Sequence, residues 1–201
     1  MNDIFPSIEY KIHSTIMGDP SDWISEINGK VYLYDDDDNQ ELVAKCRHFS
    51  IDIENSGDNA DYILDIQSEL VPFISLYDPD TSSFTDDVLS ILGDDIWSSN
   101  LLTIDRIEIL PHYRGNGLTK LIINDAINLF SPRTDVIALK AFPLQLEFKS
   151  SDHEESKWEK LMKLNNLDAN TETATKTLIK YYKSLGFTSI GLDGVMVKGN
   201  T

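Results

Sequence analysis

Ile104-Asp105-Arg106-Ile107-Glu108-Ile109-Leu110-Pro111-His112-Tyr113-Arg114-Gly115-Asn116-Gly117-Leu118-Thr119-Lys120-Leu121 is an apolar strand that runs through an Arg-Gly-x-Gly turn directly into a helix. Gly115 and Gly117 can take positive φ and let a ligand approach bare backbone. A helix starting near Leu118 aims its unpaired first-turn amides, and the positive end of its dipole, into the same turn. Phosphate or pyrophosphate suits such a turn, and Arg114 adds a guanidinium at its mouth. A plain glycine turn linking strand to helix is the competing reading.

Spacing separates the known phosphate loops. A P-loop requires Gly-x-x-x-x-Gly-Lys-Ser/Thr, and Lys120 does not follow a glycine. A dinucleotide fingerprint needs a third glycine where Lys120 stands and an acid closing the next strand, whereas Asp135 precedes the apolar run 136–139. A third pattern, Gln/Arg-x-x-Gly-x-Gly/Ala after a strand, takes in Arg114, Gly117 and Leu118, with Pro111-x-Tyr113 before it; Thr119 stands where Gly or Ala is usual. Further on, Leu178-Ile179-Lys180-Tyr181-Tyr182-Lys183-Ser184-Leu185-Gly186-Phe187 ends as Tyr-x-x-x-Gly-Phe, with Gly186 placed as a left-handed helix stop. Gly194-Val195-Met196-Val197-Lys198 then alternates like a closing strand. On these motifs, residues 101–142 and 173–198 resemble the GNAT superfamily of acyl-CoA-dependent N-acyltransferases.

The resemblance implies one GNAT-like domain over residues 1–201, of α/β (α+β mixed) class. Its central twisted sheet would be mostly antiparallel, about six to seven strands wide, with helices on both faces. Residues 1–100 would form the acceptor side and 101–201 the coenzyme half, with a helical segment inserted at about 143–171. Acetyl-CoA would be the cosubstrate. Its acetyl group would pass to a primary amine on a small molecule or peptide, by direct attack in a ternary complex. The coenzyme would lie along the backbone of Ile107 and Ile109 and in a cradle of Arg114, Gly115, Asn116, Gly117, Leu118 and Thr119. A non-catalytic acyl-CoA-binding or protein-interaction module on the same scaffold is the alternative.

Acyl transfer needs a neutral amine, a stabilised oxyanion and a proton for the leaving thiolate. Tyr182 is the expected acid: a phenol of ordinary pKa ~10 stays protonated at neutral pH yet can protonate a thiolate of ~8.5 when aligned. A core tyrosine with its hydroxyl on backbone is the competing role. Asp105 stands where some family members carry a glutamate and is the candidate base, acting through water; Glu108, of opposite strand parity, is the second candidate. Arg106 is an available ion partner for either.

Charge divides the chain. The formal net charge is −17, with 22 acids against 4 Lys+Arg in residues 1–100 and 12 against 13 in residues 101–201. Such a surface repels nucleic acid and, if it faces the acceptor, attracts cationic amines; general solubility is the blander use of the same charge. No apolar run approaches the ~18 residues of a membrane span, and no secretory signal is visible at Met1–Pro6. A single cysteine, Cys46, in a strand-like run, reads as a buried inert thiol in a reducing compartment, with the cytoplasm as expected location.

Strand patterns fall at about 7–17, 30–34, 42–53, 101–110, 135–142, 187–192 and 194–198. Helical patterns fall at about 60–70, 85–92, 117–130, 153–164 and 172–185. In the helix after the loop, Leu118, Leu121, Ile122, Ala126 and Leu129 form an apolar stripe in which Asp125 has no evident role. Trp158, Leu161 and Met162 share a face usable for packing on the domain, as a lid, or as a homodimer contact. Asp35-Asp36-Asp37-Asp38-Asn39 starts like a calcium loop, but Gln40 and Cys46 occupy the positions that need Gly and Glu, so it reads as a polar turn. His153-Glu154-Glu155 lacks a second histidine at helical spacing, and no metal is implied.

Overall fold

Period-two alternation in the first half of the chain builds an antiparallel meander of β1 (Pro6–His13), β2 (Ile24–Tyr34) and β3 (Gln40–Ile51). In the computed structural model, which describes residues 6–34, 39–93, 96–147 and 154–200, four more strands extend this sheet. They are β4 (Leu101–Ile109), β5 (Val136–Lys140), β6 (Thr188–Ile190) and β7 (Val195–Gly199), and the order across the seven strands is β1-β2-β3-β4-β5-β7-β6. Every neighbouring pair is antiparallel except β4 and β5, which run parallel. A parallel pair needs a crossover, and α4 (Leu118–Phe130) provides it. Short helices α1 (Ile53–Ser56), α2 (Ala60–Leu64) and α3 (Asp86–Leu92) lie between β3 and β4; α5 (Lys157–Met162) and α6 (Thr171–Ser184) lie between β5 and β6. The fold is thus mixed α/β with a mostly antiparallel sheet.

Helices cover both faces. On one, Leu102, Ile104, Ile137, Leu139 and Met196 cluster with Ile123 and Ala126 of α4 and Leu178 and Ile179 of α6. On the other, Phe49, Ile51, Leu101, Val136 and Ala138 cluster with Ile63 and Leu64 of α2, Phe73 and Leu76, and Val88 of α3. No helix among the described residues is long and apolar enough to cross a membrane.

Several element boundaries depart from the sequence pattern, each for a local reason. β1 stops at His13 because the Asp22 carboxylate gathers the next turn, accepting from Thr15 Oγ1 (2.8 Å), Met17 N (2.8 Å) and Gly18 N (2.7 Å). β2 starts at Ile24, upstream of the expected 30, because Gly29 is a strand residue and not a turn. A Cβ on Gly29 would stand 2.4 Å from Cys46 Sγ and 3.0 Å from the Tyr10 ring. β3 ends at Ile51 because Asp52 caps α1, accepting from Asn55 N at 3.1 Å. The helix expected over 60–70 stops at Leu64, and the chain re-forms as a 3-10 turn, Val71–Leu76, around Pro72, which has no N–H to donate. α5 is confined to Lys157–Met162 by a Ser156/Glu159 capping box at its start and Lys163 at φ 47° after its end. The acidic stretch 35–38 and His153 lie outside the described residues.

The buried stripe of α4 is Leu118, Ile122, Ile123 and Ala126, while Leu121 and Leu129 are 49% and 54% exposed, so the expected stripe is corrected by a rotation about the helix axis. That rotation explains Asp125, which accepts a hydrogen bond from Tyr10 Oη at 2.9 Å and fastens α4 to the edge strand. Cys46 is buried, and burial pushes its thiol up to about 12, which leaves it inert.

Candidate functional site

A single extra residue shapes the site. Arg47 pairs with Arg106 and His48 with Ile104, so Asp105 is the bulged residue of β4. A bulge bends its strand and resets the alternation. Upstream of it Leu102 and Ile104 face α4; downstream Ile107 and Ile109 do. β4 and β5 pair only from Leu101/Val136 to Ile104/Leu139, and beyond that point they part. Leu110 N donates to Val43 O (3.0 Å) toward β3. Backbone groups of successive strand residues point to opposite sides, so Ile107 and Ile109 turn theirs away from β3, the Ile109 carbonyl being taken by Arg114 Nε.

The turn before α4 adopts the geometry its glycines permit: Gly115 and Gly117 have φ of 79° and 81°. No atom lies within 4 Å of where a Cβ would stand on either, so the backbone there is open to a ligand. Among the described residues, the amides of Gly115, Asn116, Gly117, Leu118, Thr119 and Lys120 have no hydrogen-bond acceptor; the first bonded amide is Leu121 N, to Gly117 O at 3.2 Å. Leu118 and Ile122 anchor this end of the helix against Ala44 and Ile109.

Arg114, expected as a cation at the mouth of the turn, is held there by two backbone carbonyls. Its Nε donates to Ile109 O (2.9 Å) and its Nη2 to Met162 O (2.6 Å), so it braces the loop between the end of β4 and the end of α5. That tie comes from the inserted segment, whose Met162 is buried while Leu161 faces out at 54% exposure. The segment therefore packs on its own domain.

Between these elements lies a cavity of about 360 Å³. Ile107, Ile109 and Thr119 form one wall, Phe142 to Gln145 another, and Met162, Leu164 and Leu167 the roof; Asp105 and Tyr182 also reach it. Tyr182 packs edge-on against Phe187 at 6.1 Å between centroids. Its hydroxyl bonds to no described residue, backbone included, and burial, with Tyr181 beside it, pushes the phenol up to about 12.

The two candidate bases are separated. Asp105 lines the cavity and bonds Arg47 Nε through Oδ2 at 2.6 Å. Burial raises its pKa above the ordinary carboxylate value, and Arg47 offsets only part of that rise. Glu108 does not line this cavity: it accepts from Trp158 Nε1 (2.7 Å) and Arg106 Nη1 (3.1 Å) on the opposite face of the sheet. Arg106 also pairs with Glu147, and Arg47 with Glu69 at 3.0 Å. Asp135, the acid a dinucleotide site would have used, holds Trp97 N (2.7 Å) and Ser98 N (2.8 Å) at the far end of β5. No group of three or more potential metal ligands occurs among the described residues.

Sequence reading missed Arg47, Glu69, Lys140 and Trp158. A signal existed for Arg47: with Lys45 it interrupts the strand face that carries Phe49 and Ile51 into the core. No family model, no curated protein and no solved structure matches this chain.

Proposed function

We propose that the chain is an acyl-CoA-dependent N-acyltransferase on a GNAT-like fold, passing an acetyl group from acetyl-CoA to a primary amine. One observation carries the reading. A cavity where β4 leaves β5 is flanked by the open α4 N-terminal backbone and lined by a tyrosine with an unbonded hydroxyl and a partly buried carboxylate. The single parallel pair among antiparallel neighbours, with its crossover helix starting at the glycine turn, supports the fold assignment. Helices α1 to α3 follow β3, so the acceptor side is rebuilt from residues 53–92.

The residues present suit such a cosubstrate. Six adjacent free amides at a helix start suit a diphosphate, and the outward backbone of Ile107 with the N–H of Ile109 suits the amides of a pantetheine arm. Acetyl-CoA supplies an activated thioester; the chain supplies position and protons. Asp105, through water, removes one proton from the acceptor ammonium. As the C–N bond forms and the C–S bond breaks, Tyr182 gives its proton to the leaving sulfur and regains one from the nitrogen. The products are an amide, a free thiol and one released proton. A phenol at about 12 is fully protonated at neutral pH and needs alignment to donate.

Thiol release from acetyl-CoA over a panel of amines tests the proposal. Acceptor-dependent release is expected. Coenzyme binding without it would favour a non-catalytic acyl-CoA-binding module.

A further inference from the structure

The gap between β4 and β5 opens on the second face of the sheet into another cleft of about 340 Å³. Asp105, Arg106, Lys140, Phe142 and Leu144 line both spaces, so they are continuous through the gap. If the coenzyme occupies the first, the acceptor reaches the thioester from the second, and the chemistry of the second then sets its class.

That cleft does not share the chain's charge imbalance. The chain carries 34 Asp+Glu against 17 Lys+Arg, yet here Arg47, Arg106 and Lys140 stand beside Glu69, Asp105 and Glu147. Ser68, Pro72, Phe73, Phe142 and Leu144 complete the walls and give the cleft an apolar part beside its charges. Glu69 and Glu147 are matched by Arg47 and Arg106. Asp105 Oδ2 accepts from Arg47 Nε, and its Oδ1 has no partner among the described residues. Lys140, the last residue of β5, forms no ion pair or hydrogen bond with them. One carboxylate oxygen and one ammonium are therefore left uncommitted, on opposite sides of a gap whose walls have only just separated at Ile104/Leu139.

We propose that the acceptor is a free α-amino acid with a large apolar side chain. Its ammonium faces the open oxygen of Asp105 across the water that relays its proton, its carboxylate sits on Lys140, and its side chain lies between Phe73 and Phe142. The two charged groups of an α-amino acid share one carbon, and Asp105 and Lys140 are the first residues past the last β4/β5 pair, Ile104/Leu139, so an acid and a base flank the gap where it begins to open. A polyamine would bring several cations to a cleft with one open acceptor and an unmatched lysine, which repels it. The proposal rests on the acyltransferase reading and narrows it.

The test compares kcat/KM for phenylalanine, phenethylamine and spermidine with acetyl-CoA, together with calorimetric binding of phenylalanine to the CoA-saturated protein. Phenylalanine is expected to exceed phenethylamine, which has the same body without the carboxylate, by about 10-fold or more. Lys140→Met is expected to reduce that preference to near unity and to weaken calorimetric binding of phenylalanine by a similar factor; a CoA-induced rise in Tm checks that the variant is folded. Preference for spermidine or phenethylamine, or a Lys140→Met variant that keeps the phenylalanine preference, would overturn the proposal while leaving an acyltransferase. Failure of every amine to release thiol would overturn the acyltransferase reading and this proposal with it.

Discussion

Removing one oxygen atom, in Tyr182→Phe, separates catalysis from stability because the hydroxyl is bonded to nothing described while the ring is packed against Phe187 at 6.1 Å and Tyr181 at 5.6 Å. No hydrogen bond is lost and both ring contacts remain, so the change in stability stays within ~0.5 kcal/mol. For a chain of this size that is a Tm shift of under ~2 °C. Loss of a positioned general acid lowers turnover by about 100-fold or more. CoA affinity, set by backbone amides elsewhere in the cavity, stays within about 2-fold. The assay is acceptor-dependent thiol release at saturating acetyl-CoA, paired with thermal melts and CoA titration calorimetry on the same preparations. Turnover within about 3-fold of the parent chain would remove Tyr182 from the mechanism. A Tm loss above ~4 °C would show instead that the hydroxyl has a structural partner.

Three further perturbations probe the same account. His48 is fully buried with neither ring nitrogen bonded, and burial holds its pKa down to about 4 against an ordinary 6.5. The unfolded chain takes up a proton that the folded one refuses, so stability falls as pH drops from 6.5 toward 4, by about 3 kcal/mol for this residue. Urea unfolding of parent and His48→Leu between pH 7 and pH 4 should diverge by that amount, and parallel curves would contradict it. Gly29→Ala places a Cβ 2.4 Å from Cys46 Sγ, an overpacking that costs ~1–3 kcal/mol and several degrees of Tm. Adding Cys46→Ala should recover part of the loss, and no recovery would disprove the close contact. Asp105→Asn should lower kcat/KM about 100-fold and abolish an acid limb lying above the ordinary carboxylate value of 3.8; a retained limb would assign the base elsewhere.

What could be read in the sequence was what depends on neighbours in the chain. The glycine turn, the helix it starts, the left-handed stop at Gly186 (φ 91°) and helix α3 between β3 and β4 all follow from local chemistry. What depends on distant partners was hidden. Asn28-Gly29-Lys30 mimics a turn, because the need for glycine there comes from Cys46 and Tyr10 on the flanking strands. The bulge at Asp105 is a property of the pairing with β3, so parity counted along β4 set Asp105 apart from Glu108 but gave no sign that Asp105 would line both spaces at the gap. The tie of Arg114 to α5 could not be read because its carbonyl partner, Met162, lies 48 residues downstream. Asp125 looked misplaced because its partner Tyr10 lies 115 residues upstream.

The central claim is that the backbone from Gly115 to Lys120 is an anion cradle for a CoA diphosphate. Titration of the isotopically labelled chain with CoA, followed through backbone amide resonances, tests it most directly. Saturable shifts that are largest at these six amides, with a matching rise in Tm, are predicted. Resonances and Tm that stay unmoved at saturating CoA, or shifts confined to other parts of the sheet, would contradict it.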